Sequence, residues 1–193
     1  PALRPAVALL YGKLELHKKH YDLANDILEG ALEGKFRPYA LLGRAISYYL
    51  NEDEERLPAV LQGNAMMEIY DAGLLHPAFM GVLHYQAGTA KEGAALLEKV
   101  VQKDLAEKSF PFEGLFILGL LYIKADQRKL ALYHWQRLLD LSVQDILRMG
   151  EERGIPKVKM VELYYSLLYR YLADSMVEEA TGVLQKLEQM DPE

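Results

Sequence analysis

The chain contains no cysteine. Disulfides, thiolate nucleophiles and thiolate metal sites are therefore excluded. The compartment stays open between cytoplasm and bacterial periplasm, because cysteine-free chains occur in both. Threonine appears only twice and β-branched runs are nearly absent, while Ala, Leu, Glu, Lys and Gln are frequent. That balance favours helix throughout. Long apolar runs are missing too. The longest, 115–123, is nine residues, against about 20 for a membrane-spanning helix, so no direct membrane span is expected. No signal peptide is visible. A first residue of Pro1 rather than Met reads as an excised domain or a processed form, which leaves room for an anchor or further domains outside it. There is also no surplus of basic charge: 22 Lys and Arg face 28 Asp and Glu, a net charge of −6. Binding to phosphate backbones relies on clustered Lys and Arg. The densest basic spot, Lys18-Lys19 flanked by His17 and His20, is too small for that. Nucleic acid is not an expected partner.

What the chain does have is enough apolar material, 51% of 193 residues, for one well-packed domain, with mixed charge that argues against disorder. Proline and glycine punctuate a helical period. Pro5 opens a first helix that runs through Leu16. A polar break at 17–22 precedes a second helix, which Gly34 closes before Pro38 restarts the chain. A helix over 39–50 leads into the acidic loop Asn51-Glu52-Asp53-Glu54, and another is expected over 55–70. Pro77 begins the next helix, and Thr89 is a candidate N-cap for one continuing to about Lys108. Pro111 starts a pair of helices that turn at Ala125-Asp126-Gln127. The segment 142–155 reads either as a short helix capped by Ser142 or as a prolongation of the helix before it. Pro156 starts a long helix, broken at 173–175, and a final helix follows. The helix pairs are thus 5–34, 38–71, 76–108, 111–141 and 156–190, with an irregular insert at 142–155, in a single all-α domain over 1–193.

The stretch 112–143 carries the most specific pattern. Gly119 falls where a neighbouring helix needs room, with Tyr122 three residues on, Ala131 early in the second helix and Trp135 four residues later. Leu118-Gly119, Tyr122, Ala131 and Trp135 resemble a tetratricopeptide (TPR) helix–turn–helix unit. Leu115 stands where the family carries tryptophan. Gly12, Ala24, Leu28 and Ala31 match in the first pair, with Glu15 at the usual tyrosine, and Tyr39, Leu42 and Gly43 match in the second. The third pair offers Pro77, Gly81, His84, Gly93 and Leu97. The fifth has Tyr164, Leu167, Tyr171, Ala180, Leu184 and Pro192, with Leu168 in place of the glycine. Gly12, Gly43, Gly81 and Gly119 are 31, 38 and 38 residues apart, against about 34 for the ideal unit. The resemblance implies a right-handed α-solenoid of about five antiparallel helix pairs. Another helical repeat and a closed bundle are the architectural alternatives.

It further implies that the first helix of each pair lines a concave groove for a peptide or helix of a partner protein. Carried onto this chain, the groove positions are Lys13 and His17, then Arg37, Arg44 and Tyr48, then Phe79, Val82 and Tyr85. Glu113, Phe116, Leu120 and Lys124 follow, with Glu162, Tyr165 and Tyr169 in the last pair. Arg37, Arg44 and Tyr48 share one helical face. Paired Lys and Asn residues of the kind that grip a terminal carboxylate in some TPR co-chaperones are not found. The expected function is a non-enzymatic interaction scaffold. A structural subunit of a larger assembly and a secretion or assembly chaperone of the same fold are the alternatives.

No chemistry competes with this. His17 and His20 lack a completing carboxylate nearby in sequence, and His76, His84 and His134 are isolated. Gly30 to Phe36 lacks the Ser or Thr and the preceding strand of a phosphate loop. Asp53-Glu54 and Glu151-Glu152 fall in turns, and no serine sits on a glycine-flanked elbow. No cofactor and no metal are expected.

Overall fold

The computed structural model describes residues 4–106 and 111–191. Among them there are twelve α-helices and no strand. None of these helices is long and apolar enough to cross a membrane. The chain divides into two compact units, Pro1–Val100 and Val101–Glu193.

In the first unit, α1 (Pro5–His17) and α2 (Tyr21–Glu29) form a hairpin. Pro5 fits the first helical turn, and Lys19 takes the left-handed conformation, φ 65°, that reverses the chain. Gly34 does not close α2. The helix stops at Glu29, where the amides of Gly30, Ala31 and Leu32 bond three residues back instead of four. Gly34, at φ 58°, instead opens a 3₁₀ turn, Gly34–Phe36, that leads into α3 (Arg37–Leu50). The helix expected over 55–70 is two: α4 (Leu57–Leu61) and α5 (Ala65–Asp71). Gln62 is extended and Gly63 sits at φ 66°, a conformation that a continuous helix cannot contain. Next come α6 (Pro77–Gln86) and α7 (Ala90–Ala106), which crosses the boundary between the units. The expected end near Lys108 lies outside the described residues, as does Pro192.

Among the described residues, two apolar clusters hold this unit together. Ala8, Leu9, Leu28, Ala31 and Ala40 join α1, α2 and α3; a larger cluster around Leu41, Ile69, Met80 and Leu83 joins α3 through α7. Leu28 is the wedge of the first. A Cβ on Gly12 would lie 2.5 Å from its Cγ, and one on Gly43 2.9 Å from its Cδ1, so both glycines are small because Leu28 fills their space. Buried Asn25 reaches from α2 to α3: its Nδ2 donates to Ser47 Oγ at 2.7 Å and to the Tyr21 carbonyl at 3.0 Å.

In the second unit, α8 (Phe112–Lys124) and α9 (Arg128–Leu139) turn through Asp126 at φ 58°. The approach expected at Gly119 is there: a Cβ would meet Trp135 Nε1 at 2.0 Å. The indole N–H donates to the Phe116 carbonyl at 3.1 Å, and Tyr171 packs edge-on against the ring at 5.6 Å. Trp135 thereby joins α8, α9 and α11 (Lys157–Ala173). The insert resolves as a separate helix, α10 (Val143–Glu152). Ser142 Oγ accepts the Asp145 amide at 3.1 Å, so the prolongation reading is set aside. The unit ends with α12 (Val177–Met190), packed on α11 and α10.

Candidate partner-binding surfaces

The first-pair positions fall on neighbouring helices: α3 packs against both α1 and α6 in the first unit, and α8 against α11 in the second. On α1, Lys13 and His17 are exposed, and the Lys13 ammonium lies over the Tyr39 ring of α3 at 5.6 Å. Arg37 is also exposed, but its guanidinium is paired to Glu68 of α5 at 2.8 Å. Arg44 is half-buried and donates to the Tyr48 hydroxyl at 3.3 Å. On α6, Phe79 is half-buried, edge-on to Tyr49 at 5.9 Å, and Tyr85 is exposed.

Tyr48 departs from the expectation of an open-face residue. It is only 5% exposed and belongs to the larger cluster. Sharing a helical face with Arg37 does not expose it, because the acidic loop folds back over that end of α3. Arg56 closes the loop. Its guanidinium pairs with Asp53 and with Asp22 of α2, the latter at 2.8 Å, and lies 5.0 Å from the Tyr48 ring centre. The Arg56 amide, followed by the guanidinium, holds the Asp53 carboxyl below its usual range. A cleft of about 320 Å³ remains, lined by Tyr48, Tyr49, Leu50, Glu52, Asp53, Glu54, Leu57 and Gln86. Sequence reading passed over Arg56, although its i,i+3 spacing from Asp53 was available as a signal.

In the second unit, Phe116 is half-buried against Trp135, with ring centres 6.3 Å apart, and Lys124 is exposed at the end of α8. On α11 the tyrosines separate cleanly. Tyr164 and Tyr171 are buried, and Tyr164 donates its hydroxyl to the Leu138 carbonyl at 2.7 Å. Burial raises the pKa of both. Tyr165 and Tyr169 point outward, 46% and 72% exposed. A second cleft, about 670 Å³, lies between α9, α10 and α12 and includes Gln144, Gln185, Lys186 and Gln189. Lys186 donates to the Leu141 carbonyl, and burial lowers its pKa.

Two titratable groups stand apart. Glu15, at the family's tyrosine position, is buried and accepts from Lys18 and from His20 Nδ1, each at 2.8 Å. These bonds, Lys18's first, hold its carboxyl below the usual range. A carboxylate does therefore reach His20 across the turn, although none adjoins it in sequence. His84 is buried, its Nδ1 2.8 Å from Thr89 Oγ1, and burial lowers its pKa. A Cβ on Gly93 of α7 would lie 2.3 Å from the His84 Cβ, so this histidine packs the α6–α7 hairpin. Among the described residues no three His, Asp or Glu side chains converge as a metal site would need. Comparison of the chain with family models, curated proteins and solved structures finds no match.

Proposed function

We propose that this chain is a non-enzymatic interaction scaffold of the TPR kind, binding a peptide or helix of a partner protein along the first helices of its hairpins. A bulky residue facing a glycine recurs in three hairpins, as Leu28 with Gly12, His84 with Gly93 and Trp135 with Gly119. That recurrence supports stacked helix pairs, and a right-handed solenoid is the arrangement proposed for them. The observation that carries the functional reading is the pair of outward tyrosines on α11, beside the helix that bears Lys124. A tyrosine offers large contact area at low entropic cost, plus one polar tip for a hydrogen bond. They stand on the outer side of α11, while Tyr164 and Tyr171 of the same helix fill the core.

The test is affinity capture from the native source with the wild-type chain and with Tyr165→Ala/Tyr169→Ala as baits. Both positions are exposed, so helicity and melting should be unchanged. The expected result is a protein retained by the first bait and lost from the second. Equal retention by both would move the binding site off α11. A second reading, a subunit built into a larger assembly, draws support from one feature, the exposed apolar side chains Val7, Leu10, Tyr11 and Leu14 of α1.

A further inference from the structure

The second cleft, about 670 Å³ between α9, α10 and α12, takes no part in the function proposed above. Its size falls within the roughly 300–1,000 Å³ of small-molecule sites. Gly182, Gln185, Lys186 and Gln189 line it from α12, at offsets of 0, 3, 4 and 7 residues that place them on one helical face. From the other side come Leu139 of α9 and Val143 and Leu147 of α10, all half-buried. Gly182 leaves room between these walls: a Cβ there would meet nothing within 4 Å. The lining is thus apolar where it is half-buried, and glutamines stand exposed around it.

One cation lies in this cleft. Lys186 is half-buried, and of its three N–H groups one donates to the Leu141 carbonyl. None of the residues lining the cleft is acidic. Among the described residues no carboxylate is paired with Lys186; Asp140, which favours its charge from further away, is hydrogen-bonded to Gln136. Burial lowers the Lys186 pKa, and a carboxylate brought into the cleft would restore the charged ammonium. One cation neutralises one negative charge, and Asp140 nearby disfavours a second.

We infer that this cleft binds a small monocarboxylate with an apolar body, the carboxylate on Lys186 and the body against Val143 and Leu147 in the space left by Gly182. An uncharged apolar molecule would leave the ammonium unmatched, and a polyphosphate would bring several charges to one cation. Aliphatic acids and N-acylated apolar amino acids share the required chemistry. The second kind would also offer an amide to the surrounding glutamines, each of which can donate and accept. None of this uses the outward tyrosines of α11, so this site and the partner-binding face stand or fall separately.

Backbone-amide NMR titration of the 193-residue chain tests it, with octanoate as probe, octanol as its uncharged counterpart and N-acetyl-leucine as an acid that carries an amide. Octanoate should shift amides of α10 and α12 around the cleft and saturate with a Kd of about 1 mM or below. Octanol should bind about tenfold more weakly, for want of a charge-assisted hydrogen bond. Lys186→Gln should remove that difference. Gly182→Leu, on a position with free space, should abolish binding of both without lowering the melting temperature. N-acetyl-leucine binding more tightly than octanoate assigns the peptide-like acid, and the reverse assigns the aliphatic one. Equal binding of octanoate and octanol, or no saturable shift with either acid, overturns the inference. So does wild-type affinity for octanoate in Lys186→Gln or in Gly182→Leu.

Discussion

Trp135 and Gly119 show how much one missing side chain decides. A methyl at Gly119 would lie within 2.0 Å of the indole nitrogen, which is held by the Phe116 carbonyl and by Tyr171 and cannot swing away freely. Gly119→Ala should therefore destabilise the chain by about 1–3 kcal/mol through overpacking. Gly182 lies inside α12 and a Cβ there meets nothing within 4 Å. Gly182→Ala should stabilise by about 0.5–1 kcal/mol, the ordinary helical preference for alanine. Opposite signs in denaturant midpoint are the expected outcome. His84 gives a second handle. Its folded pKa lies below 6.5 because burial disfavours the charged ring. As pH falls through 6.5 the unfolded chain takes up a proton that folded His84 refuses, so stability declines on acidification. Glu15 works the same way only at lower pH, its depressed carboxyl losing its contribution below 4.5. Denaturation midpoints between pH 7 and pH 5 should fall for the wild type and fall less for His84→Gln.

At the scale of elements, the hairpins were legible because their punctuation is local. Pro5, Pro77 and the turn at Asp126 act through the backbone of one or two residues, and the structure follows them. Gly119 was legible for the same reason. Boundaries that depend on alternatives were not. Gly30 and Gly34 both could end α2, and the break within 55–70 needed Gly63 to be known as left-handed. Tyr48 shows the larger gap: it is buried in the cluster that α3 shares with α4 to α6, and Arg56, which lies over its ring, pairs with Asp22 more than thirty residues earlier, none of which a helical wheel of α3 contains. Where the reading left two choices at 142–155, one hydroxyl distinguishes them. Ser142 caps α10, and the Ser142 hydroxyl and then Arg148 hold the Asp145 carboxyl below its usual range. Ser142→Ala should cost about 1 kcal/mol of stability, and Ser142→Thr, which keeps the hydroxyl, should retain most of it. Thermal or urea melts of the two variants beside the wild type check this; a harmless alanine would remove the cap from the explanation of α10.

For the whole molecule, the relevant contrast is between tyrosines packed inside the units and tyrosines on the surface. Tyr48, Tyr122, Tyr164 and Tyr171 are buried within their units, whereas Tyr165 and Tyr169 are not. The chain is acidic, with a net charge of −6, and among its described residues no metal-ligating cluster converges. The function proposed above gives its exposed surface to another polypeptide instead. The most direct measurement places a photo-reactive residue at position 169 and, as a control, at Tyr133 of α9, which is also well exposed. Irradiation in extract from the native source should give a discrete protein adduct from position 169 and none from position 133. The same adduct from both positions, or an adduct from position 133 alone, would contradict partner binding on α11.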